Sequence, residues 1–258
     1  MLRSRIIPCL LIQNKGLVKT VNFKDPKYVG DPINAVKIFN EKEVDELIVL
    51  DIDATRENRE PNLEMIKNLA DECRMPFCYG GGITTVEQAR KIINLGVEKI
   101  ALSYSALNNI NLCQEIGSII GNQSVVVVID VKKKKIFGGY DIYTHNGTKR
   151  SDWKLEDLIA QLEKIGVGEL VINSIDNDGA MQDYDLSLIE NIRSKCSMPI
   201  TALGGAGSLD DVNKLIKKFK IIGAAAGSLF VFKGKYRAVL INYPNREERK
   251  PLYYPGMI

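Results

Sequence analysis

The sequence contains one histidine, His145, and one tryptophan in 258 residues. Its five cysteines, Cys9, Cys73, Cys78, Cys113 and Cys196, are odd in number, scattered, and include no CxxC pair. That supply argues against a His/Cys zinc site and against a disulfide framework, and it reads as reduced thiols of a cytoplasmic protein. No apolar run approaches the ~18 residues of a membrane span. The start, Met1-Leu2-Arg3-Ser4-Arg5-Ile6-Ile7-Pro8-Cys9, has neither the long apolar core nor the small-residue cleavage site of a signal peptide. Ser–His or Cys–His catalysis would have one candidate base. His145 sits in the polar, turn-like Thr144-His145-Asn146-Gly147, which predicts a surface position. No metal, flavin or nicotinamide cofactor is expected.

What is present is ordinary for a globular protein: 45% apolar, 26% charged, 35 basic against 32 acidic residues. A chain of this length buries about three quarters of its unfolded surface and needs no staples. The charge is uneven. Residues 233–258 hold six basic and two acidic side chains, a net of +4, which leaves −1 for the first 232. A basic tail suits nucleic acid or a membrane surface, but this one has no repeating Lys/Arg pattern. Its Tyr236, Tyr243, Tyr253 and Tyr254 lie in Pro-containing sequence. We expect a tail that packs on the barrel or on a partner, with no nucleic acid or membrane involved.

Eight short apolar runs alternate with helix-length stretches. The runs are Arg5–Leu11, Glu46–Ile52, Pro76–Tyr79, Lys99–Leu102, Ser124–Ile129, Glu169–Ile175, Ile200–Leu203 and Ile221–Ala226. They lack polar alternation, as strands buried on both faces do. The intervening stretches predict helices over 31–42, 62–73, 85–95, 106–117, 154–165, 186–195 and 209–219. Asp31-Pro32 and the Thr84/Glu87 spacing look like helix entries. Eight such units predict an α/β fold, a single (β/α)8 TIM barrel over 1–232 with a C-terminal tail over 233–258; a doubly wound open sheet is the alternative. The halves also match at an offset of 123. Glu46-Leu47-Ile48-Val49 matches Glu169-Leu170-Val171-Ile172, Ile52-Asp53 matches Ile175-Asp176, Met75-Pro76 matches Met198-Pro199, and Gly81-Gly82 matches Gly204-Gly205. Four blocks in one register predict a barrel built from two half-barrel repeats.

Barrel chemistry sits at the C-terminal ends of the strands. Leu11, Asp51, Asp53, Asp130, Asp176 and Asp178 fall there, as do Gly80-Gly81-Gly82, Ser103 and Ser105, Gly204-Gly205-Ala206-Gly207, and Gly227-Ser228. Each glycine cluster can bring backbone N–H groups close to an anion, and each is followed one strand later by a serine. Gly82 with Ser103, and Gly205 with Gly227 and Ser228, are therefore candidate phosphate sites, one per half; plain turn chemistry is the alternative. Two sites imply a ligand with phosphates at both ends. Crowded carboxylates can hold an acid and a base together, though aspartates also cap helices. Aligning strand ends places Leu11 where the other half has Asp130, and leucine transfers no proton.

These residues resemble the HisF-type cyclase subunit family of imidazole glycerol phosphate synthase. The resemblance runs from Met1 to about Phe232. It rests on Arg5-Ile6-Ile7-Pro8-Cys9-Leu10, Lys19 with Val21-Asn22-Phe23, Gly30-Asp31-Pro32, Asp45-Glu46-Leu47, Gly80-Gly81-Gly82-Ile83, Asp130, Gly168-Glu169-Leu170, Asp176-Asn177-Asp178-Gly179 and Gly204-Gly205-Ala206-Gly207. The resemblance implies a HisH-like glutaminase docked on the N-terminal barrel face. Ammonia would pass up the barrel to a bis-phosphorylated ribulosyl acceptor. It implies an ammonia gate at Arg5, Glu46, Lys99 and Glu169, a mobile-loop lysine at Lys19, a carboxylate by the reacting centre at Asp130 and a catalytic acid at Asp178. Gly179 joins the phosphate set. Two basic and two acidic gate residues can also form a neutral ring, a structural reason for the same four positions.

Four features depart from the family. Leu11 stands where it has a catalytic Asp, Ser103-Tyr104 where it has Asn-Thr, and Asp53 where it has Thr; residues 147–153 lack its Thr-Gly. The tail and Cys9-Leu10-Leu11-Ile12 resemble instead HisF-like paralogues of surface-polysaccharide clusters, associated with acetamidino modification of sugars. Those act with a HisH-like glutaminase and a separate ATP-dependent sugar amidotransferase. Three readings follow. The barrel uses or relays ammonia for acetamidino modification of a nucleotide-linked sugar; it is the histidine-pathway cyclase with a rearranged site; or it is a non-catalytic conduit or assembly subunit.

Overall fold

The computed structural model describes residues 3–136 and 138–253; Met1, Leu2 and Tyr254 to Ile258 of the sequence reading lie outside the described residues. In chain order, strand β1 (Arg5–Gln13) leads into the hairpin β2 (Gly16–Val21) and β3 (Lys24–Gly30), then α1 (Pro32–Glu41). Next come β4 (Leu47–Asp51), α2 (Leu63–Glu72), β5 (Phe77–Gly80), α3 (Val86–Asn94), β6 (Lys99–Leu102), α4 (Tyr104–Asn108) and α5 (Asn111–Ile120). The second half has β7 (Val125–Lys133), β8 (Tyr140–Thr144), β9 (Lys149–Arg150), α6 (Leu155–Ile165), β10 (Glu169–Ser174), α7 (Leu186–Arg193), β11 (Ile200–Leu203), α8 (Leu209–Phe219), β12 (Gly223–Ala226) and α9 (Ser228–Val231). The tail adds β13 (Phe232–Lys233), β14 (Ala238–Val239) and α10 (Arg246–Arg249).

Strands β1, β4, β5, β6, β7, β10, β11 and β12 pair in parallel, and β12 pairs back onto β1 with Arg5 opposite Gly223. The sheet is a closed eight-strand (β/α)8 barrel. The open-sheet alternative fails because no edge is left among these eight. The pleat sorts the apolar residues into two clusters. Residues such as Ile6, Leu10, Leu47 and Leu170 pack outward on the helices, while Ile7, Cys9, Ile48, Val126, Val128 and Val171 pack inside the barrel.

The two halves repeat in space. Gly81 and Gly204 both hold positive φ, 128° and 92°. A Cβ on Gly81 would stand 2.5 Å from the Asp51 carbonyl oxygen, and one on Gly204 2.7 Å from that of Ser174, the residue 123 positions on. Only glycine permits the next strand to pass this closely.

Several boundaries differ from expectation. The helix expected over 106–117 is two, α4 and α5, broken where Asn109 turns extended (φ −142°, ψ 93°). The capping box on α3 is Thr85 with Gln88, not Thr84 with Glu87. Asp31 caps α1 ahead of Pro32, as the entry signal implied.

The tail packs under the N-terminal end of the barrel. Tyr243 Oη donates to the Ile6 carbonyl (2.8 Å) and accepts from Asp45 N–H (3.2 Å). Tyr253 Oη donates to Asp45 (2.7 Å), Arg249 to the Glu43 carbonyl (2.9 Å), and Arg246 to Glu43 Oε2 (2.8 Å). Its positive charge is thus partly matched by Glu43 and Asp45 of the barrel.

Candidate functional site

Inward-facing positions of the barrel form layers along its axis. The lowest is charged. Arg5 holds both Glu46 and Glu169, the latter at 2.7 Å; Lys99 Nζ donates to Glu46 Oε1 (2.8 Å) and Glu169 Oε2 (3.0 Å). Every charge has two partners, so the ring is electrically closed. Sequence reading missed a fifth member. Thr201, fully buried, donates from Oγ1 to Glu169 Oε1, and Gly223 beside it has no side chain to displace that hydroxyl. Burial disfavours the charged form of Glu169, but Arg5 by charge and hydrogen bond holds its carboxyl well below the usual range. Burial likewise opposes the Arg5 and Lys99 cations, and the two carboxylates outweigh it and raise both pKa values.

Above the ring the lumen is apolar, lined by Ile7, Ile48, Cys78, Ala101, Val126 and Val171 and then Cys9, Val128 and Leu203. The lumen ends under a cavity of about 420 Å³ at the C-terminal mouth.

That cavity brings together Leu11, Lys19, Asp51, Gly82, Ser103, Asp130, Asp178, Gly179, Gly205, Gly227 and Ser228. Asp130 accepts a hydrogen bond from Asn173 Nδ2 (2.9 Å). Burial pushes its carboxyl up to about 7, against the Asn173 bond and with the help of nearby Asp178. Asp178, itself raised by burial, also holds the hairpin: Thr20 Oγ1 donates to it at 2.7 Å and Phe23 N–H at 3.4 Å. Asn22 adds bonds to the Ile175 and Asp176 carbonyls, so β2–β3 lies across the mouth. Lys19, buried, turns its ammonium to the Cys9 carbonyl (2.5 Å) beside Gly227, and desolvation lowers its pKa. Its Nζ thus lies at Gly227, a residue of the second candidate phosphate site.

Two expected pocket residues are elsewhere. Asp53 accepts from Asn14 N–H (2.9 Å) and Gln13 Nε2 (3.0 Å); Asp176 is exposed and accepts from Lys133 N–H (2.8 Å). Both staple the extension of the preceding barrel strand, and neither lines the cavity. The matched staples also fix the alignment of the halves. Asn14 lies three residues past Leu11, and Lys133 three past Asp130, so Leu11 and Asp130 are spatial equivalents.

Asn173, Thr20, Arg59 and His145 line the cavity and were not singled out for it. His145 is half-buried rather than a surface residue, with its ring against Tyr104 (centroids 4.6 Å, 72° between planes). The β8–β9 turn carries it inward, anchored by Asn146 Nδ2 on the Ile52 carbonyl (3.1 Å). Asn173 was legible by pleat: it is the second inward position after Glu169. Among the described residues no cluster of His, Cys, Asp or Glu is arranged to hold a metal, and no helix is long and apolar enough to cross a membrane.

The family model described as "Histidine biosynthesis protein" matches residues 5–237. The chain belongs to this family. It is 54% identical over 253 residues to a Leptospira borgpetersenii protein that carries the provisional name imidazole glycerol phosphate synthase subunit HisF, covering 98% of this chain and 100% of that one. A Leptospira interrogans protein of the same provisional name is 53% identical over 254 residues, 98% and 100% of the two chains. Imidazole glycerol phosphate synthase subunit HisF of Streptococcus sanguinis is 38% identical over 230 residues, 89% of this chain and 91% of that one. An alignment of 253 residues includes most of the tail, which links this HisF-type chain with the provisionally named group along its full length.

Proposed function

We propose that the chain is the synthase-side subunit of a glutamine-dependent amidotransferase. A HisH-like glutaminase docks on the N-terminal face, and ammonia passes the Arg5–Glu46–Lys99–Glu169 ring and the apolar lumen to the mouth. The apolar layers admit neutral ammonia and exclude ammonium, because an unpaired ion in a dry lumen costs several kcal/mol, about the effective penalty for a buried charge. The ammonia serves conversion of an acetamido to an acetamidino group on a nucleotide-linked sugar, with a separate ATP-dependent amidotransferase activating the amide. Gly82–Ser103 and Gly205–Gly227–Ser228, with Gly179 and Lys19, form the anion-binding part of the mouth.

The observation that carries this reading over cyclisation is Leu11. A complete ring and lumen lead to a mouth where one half has Asp130 and the other an apolar side chain at the same place. A missing acid or base costs about 10²–10⁴-fold in rate. Asp130, Asp178 and Lys19, gathered at one cavity, favour a second reading: a cyclase of histidine biosynthesis in which Asp178 serves as acid. In a third reading the barrel only conducts ammonia and assembles its partners.

One assay separates them. The barrel is mixed with the HisH-like protein of the same genome and the bis-phosphorylated cyclase substrate, and glutamate and imidazole glycerol phosphate are followed together. Complex formation without that product is expected. Substrate-stimulated glutamate release with product would establish a working cyclase and remove the sugar reading. Acetamidino sugar formed only when the amidotransferase is added supports the relay.

A further inference from the structure

The halves of the repeat part company at two places in the mouth. At the first, β1 sets Leu11 beside Leu50 of β4, where β7 sets Asp130 beside Asn173 of β10. The second lies where β6 and β12 end. These strands stand four apart in the ring of eight and so on opposite sides of it. Each runs into a short helix, α4 from Tyr104 and α9 from Ser228. Tyr104 and Ser228 are therefore equivalent in the repeat, and both line the mouth cavity. On the Ser228 side the lining is polar and cationic, with Gly205, Gly227 and the Lys19 ammonium. On the Tyr104 side it is aromatic.

Tyr104 lines the cavity and keeps 38% of its surface exposed. His145 packs against it edge to face. His145 and Asn146 both hold left-handed backbone, φ 52° and 56°, which is uncommon outside glycine. Their neighbours fix it: Asn146 Nδ2 on the Ile52 carbonyl, Thr148 Oγ1 on the His145 carbonyl at 2.6 Å, and Phe23, 3.2 Å from where a Cβ on Gly147 would stand. Thr144 Oγ1 lies 3.0 Å from Nδ1, and Nε2 has no partner among the described residues. Burial and the Lys149 cation lower the pKa of the ring, so the imidazole is neutral at pH 7. Ser103, next to Tyr104, makes no cap bond to α4 and also lines the cavity. Arg59 lines it too, but is committed to Glu57 and Asp51. The corner is thus an aromatic face with polar groups at its rim. A planar heteroaromatic ring suits it, stacked on Tyr104 with its polar edge towards Ser103 and His145.

We propose that the mouth binds a nucleoside diphosphate, with the base stacked on the Tyr104–His145 corner and the phosphates at the Lys19, Gly227 and Ser228 end. The cavity of about 420 Å³ that joins the two ends is of the size of small-molecule sites. The inference rests on the sugar reading above and names the part of the nucleotide-linked sugar that the barrel itself holds. It gives the two ends of the mouth different tasks, with Ser103 serving the base rather than a phosphate.

The test is calorimetric titration of the full-length chain with UDP, ADP and inorganic pyrophosphate, wild type beside Tyr104→Ala and Tyr104→Phe. Both nucleotides are used because stacking tolerates any base. Tyr104→Ala is expected to weaken UDP and ADP about tenfold, the worth of one base on an aromatic ring, and to leave pyrophosphate unchanged. Tyr104→Phe keeps the ring and is expected to stay within about twofold of wild type. Tyr104 is exposed, so its truncation leaves the core intact. A wild-type chain that binds neither nucleotide overturns the site. So does unchanged nucleotide affinity in Tyr104→Ala, or an equal loss for pyrophosphate. The glutaminase, barrel and amidotransferase are then combined. If they make no acetamidino product while Tyr104→Ala still separates nucleotide from pyrophosphate, the sugar reading fails and the nucleotide site stands. Product formed without that separation means the reverse.

Discussion

Leu11 and Asp130 occupy equivalent places in the two halves, and the proposed chemistry of the mouth turns on their difference. Leu11→Asp adds a carboxylate facing Asp130. It is expected to leave sugar amidation within about threefold and to raise cyclase turnover from a near-zero base, since a positioned acid or base is worth about 10²–10⁴-fold. Abolished amidation with an intact fold would show instead that Leu11 shapes the pocket. Asp130 also has a pH signature. Its folded-state pKa lies above the unfolded value, so its contribution is full below about pH 4 and is lost as pH rises towards 7. Denaturant titrations should show Asp130→Asn flattening that decline, by about 2 kcal/mol after discounting for the partly open mouth. An identical pH dependence in wild type and variant would contradict the assignment. In the ring, Glu46→Ala strands Arg5 and Lys99 with one carboxylate between them. We expect a stability loss of about 3 kcal/mol, in the range for breaking a buried pair, and weaker coupling of glutamine hydrolysis to product. Unchanged glutamine-dependent turnover in both Glu46→Ala and Lys99→Ala would remove the ring from the ammonia route.

At the scale of elements, the tail shows how a terminal segment bears on that ring. Tyr243 bridges the Ile6 carbonyl and the Asp45 N–H, and those residues adjoin Arg5 and Glu46 on the opposite side of the barrel wall. Tyr243→Phe leaves both backbone groups without this partner and is expected to cost about 1–3 kcal/mol. A denaturation midpoint equal to wild type would contradict that. The tail's tyrosines and basic residues were visible in the sequence, but their partners Glu43 and Asp45 are about 200 positions away and could not be. The same limit explains the other misses. All eight barrel strands were legible because two-sided burial writes itself as uninterrupted Val, Ile and Leu. The β2–β3 hairpin was not, because its order comes from Thr20, Asn22 and Phe23 gripping the 175–178 loop. Asp53 and Asp176 were placed at the right strand ends, but a turn can aim a carboxylate inward or at a neighbouring N–H, and spacing does not say which. The same holds for His145, whose turn reads as polar surface and whose ring is carried inward by the β8–β9 arm.

The whole molecule is a charged ring, an apolar lumen and a polar mouth in series along one axis. The sequence repeat foretold the symmetry of that axis; Leu11 and Leu50 against Asp130 and Asn173 record where the symmetry has been given up. The proposed conduit makes one demand that no catalytic role of the barrel would replace: nitrogen from glutamine must reach the acceptor without mixing with ammonium in solution. The decisive measurement supplies the assembled glutaminase, barrel and sugar amidotransferase with glutamine labelled by nitrogen-15 at the amide, in excess unlabelled ammonium, and reads the isotope in the acetamidino product by mass spectrometry. The account predicts product carrying the label in wild type, with the label diluted in Glu46→Ala. Product whose isotope ratio equals that of the bulk ammonium in wild type would contradict passage through the barrel.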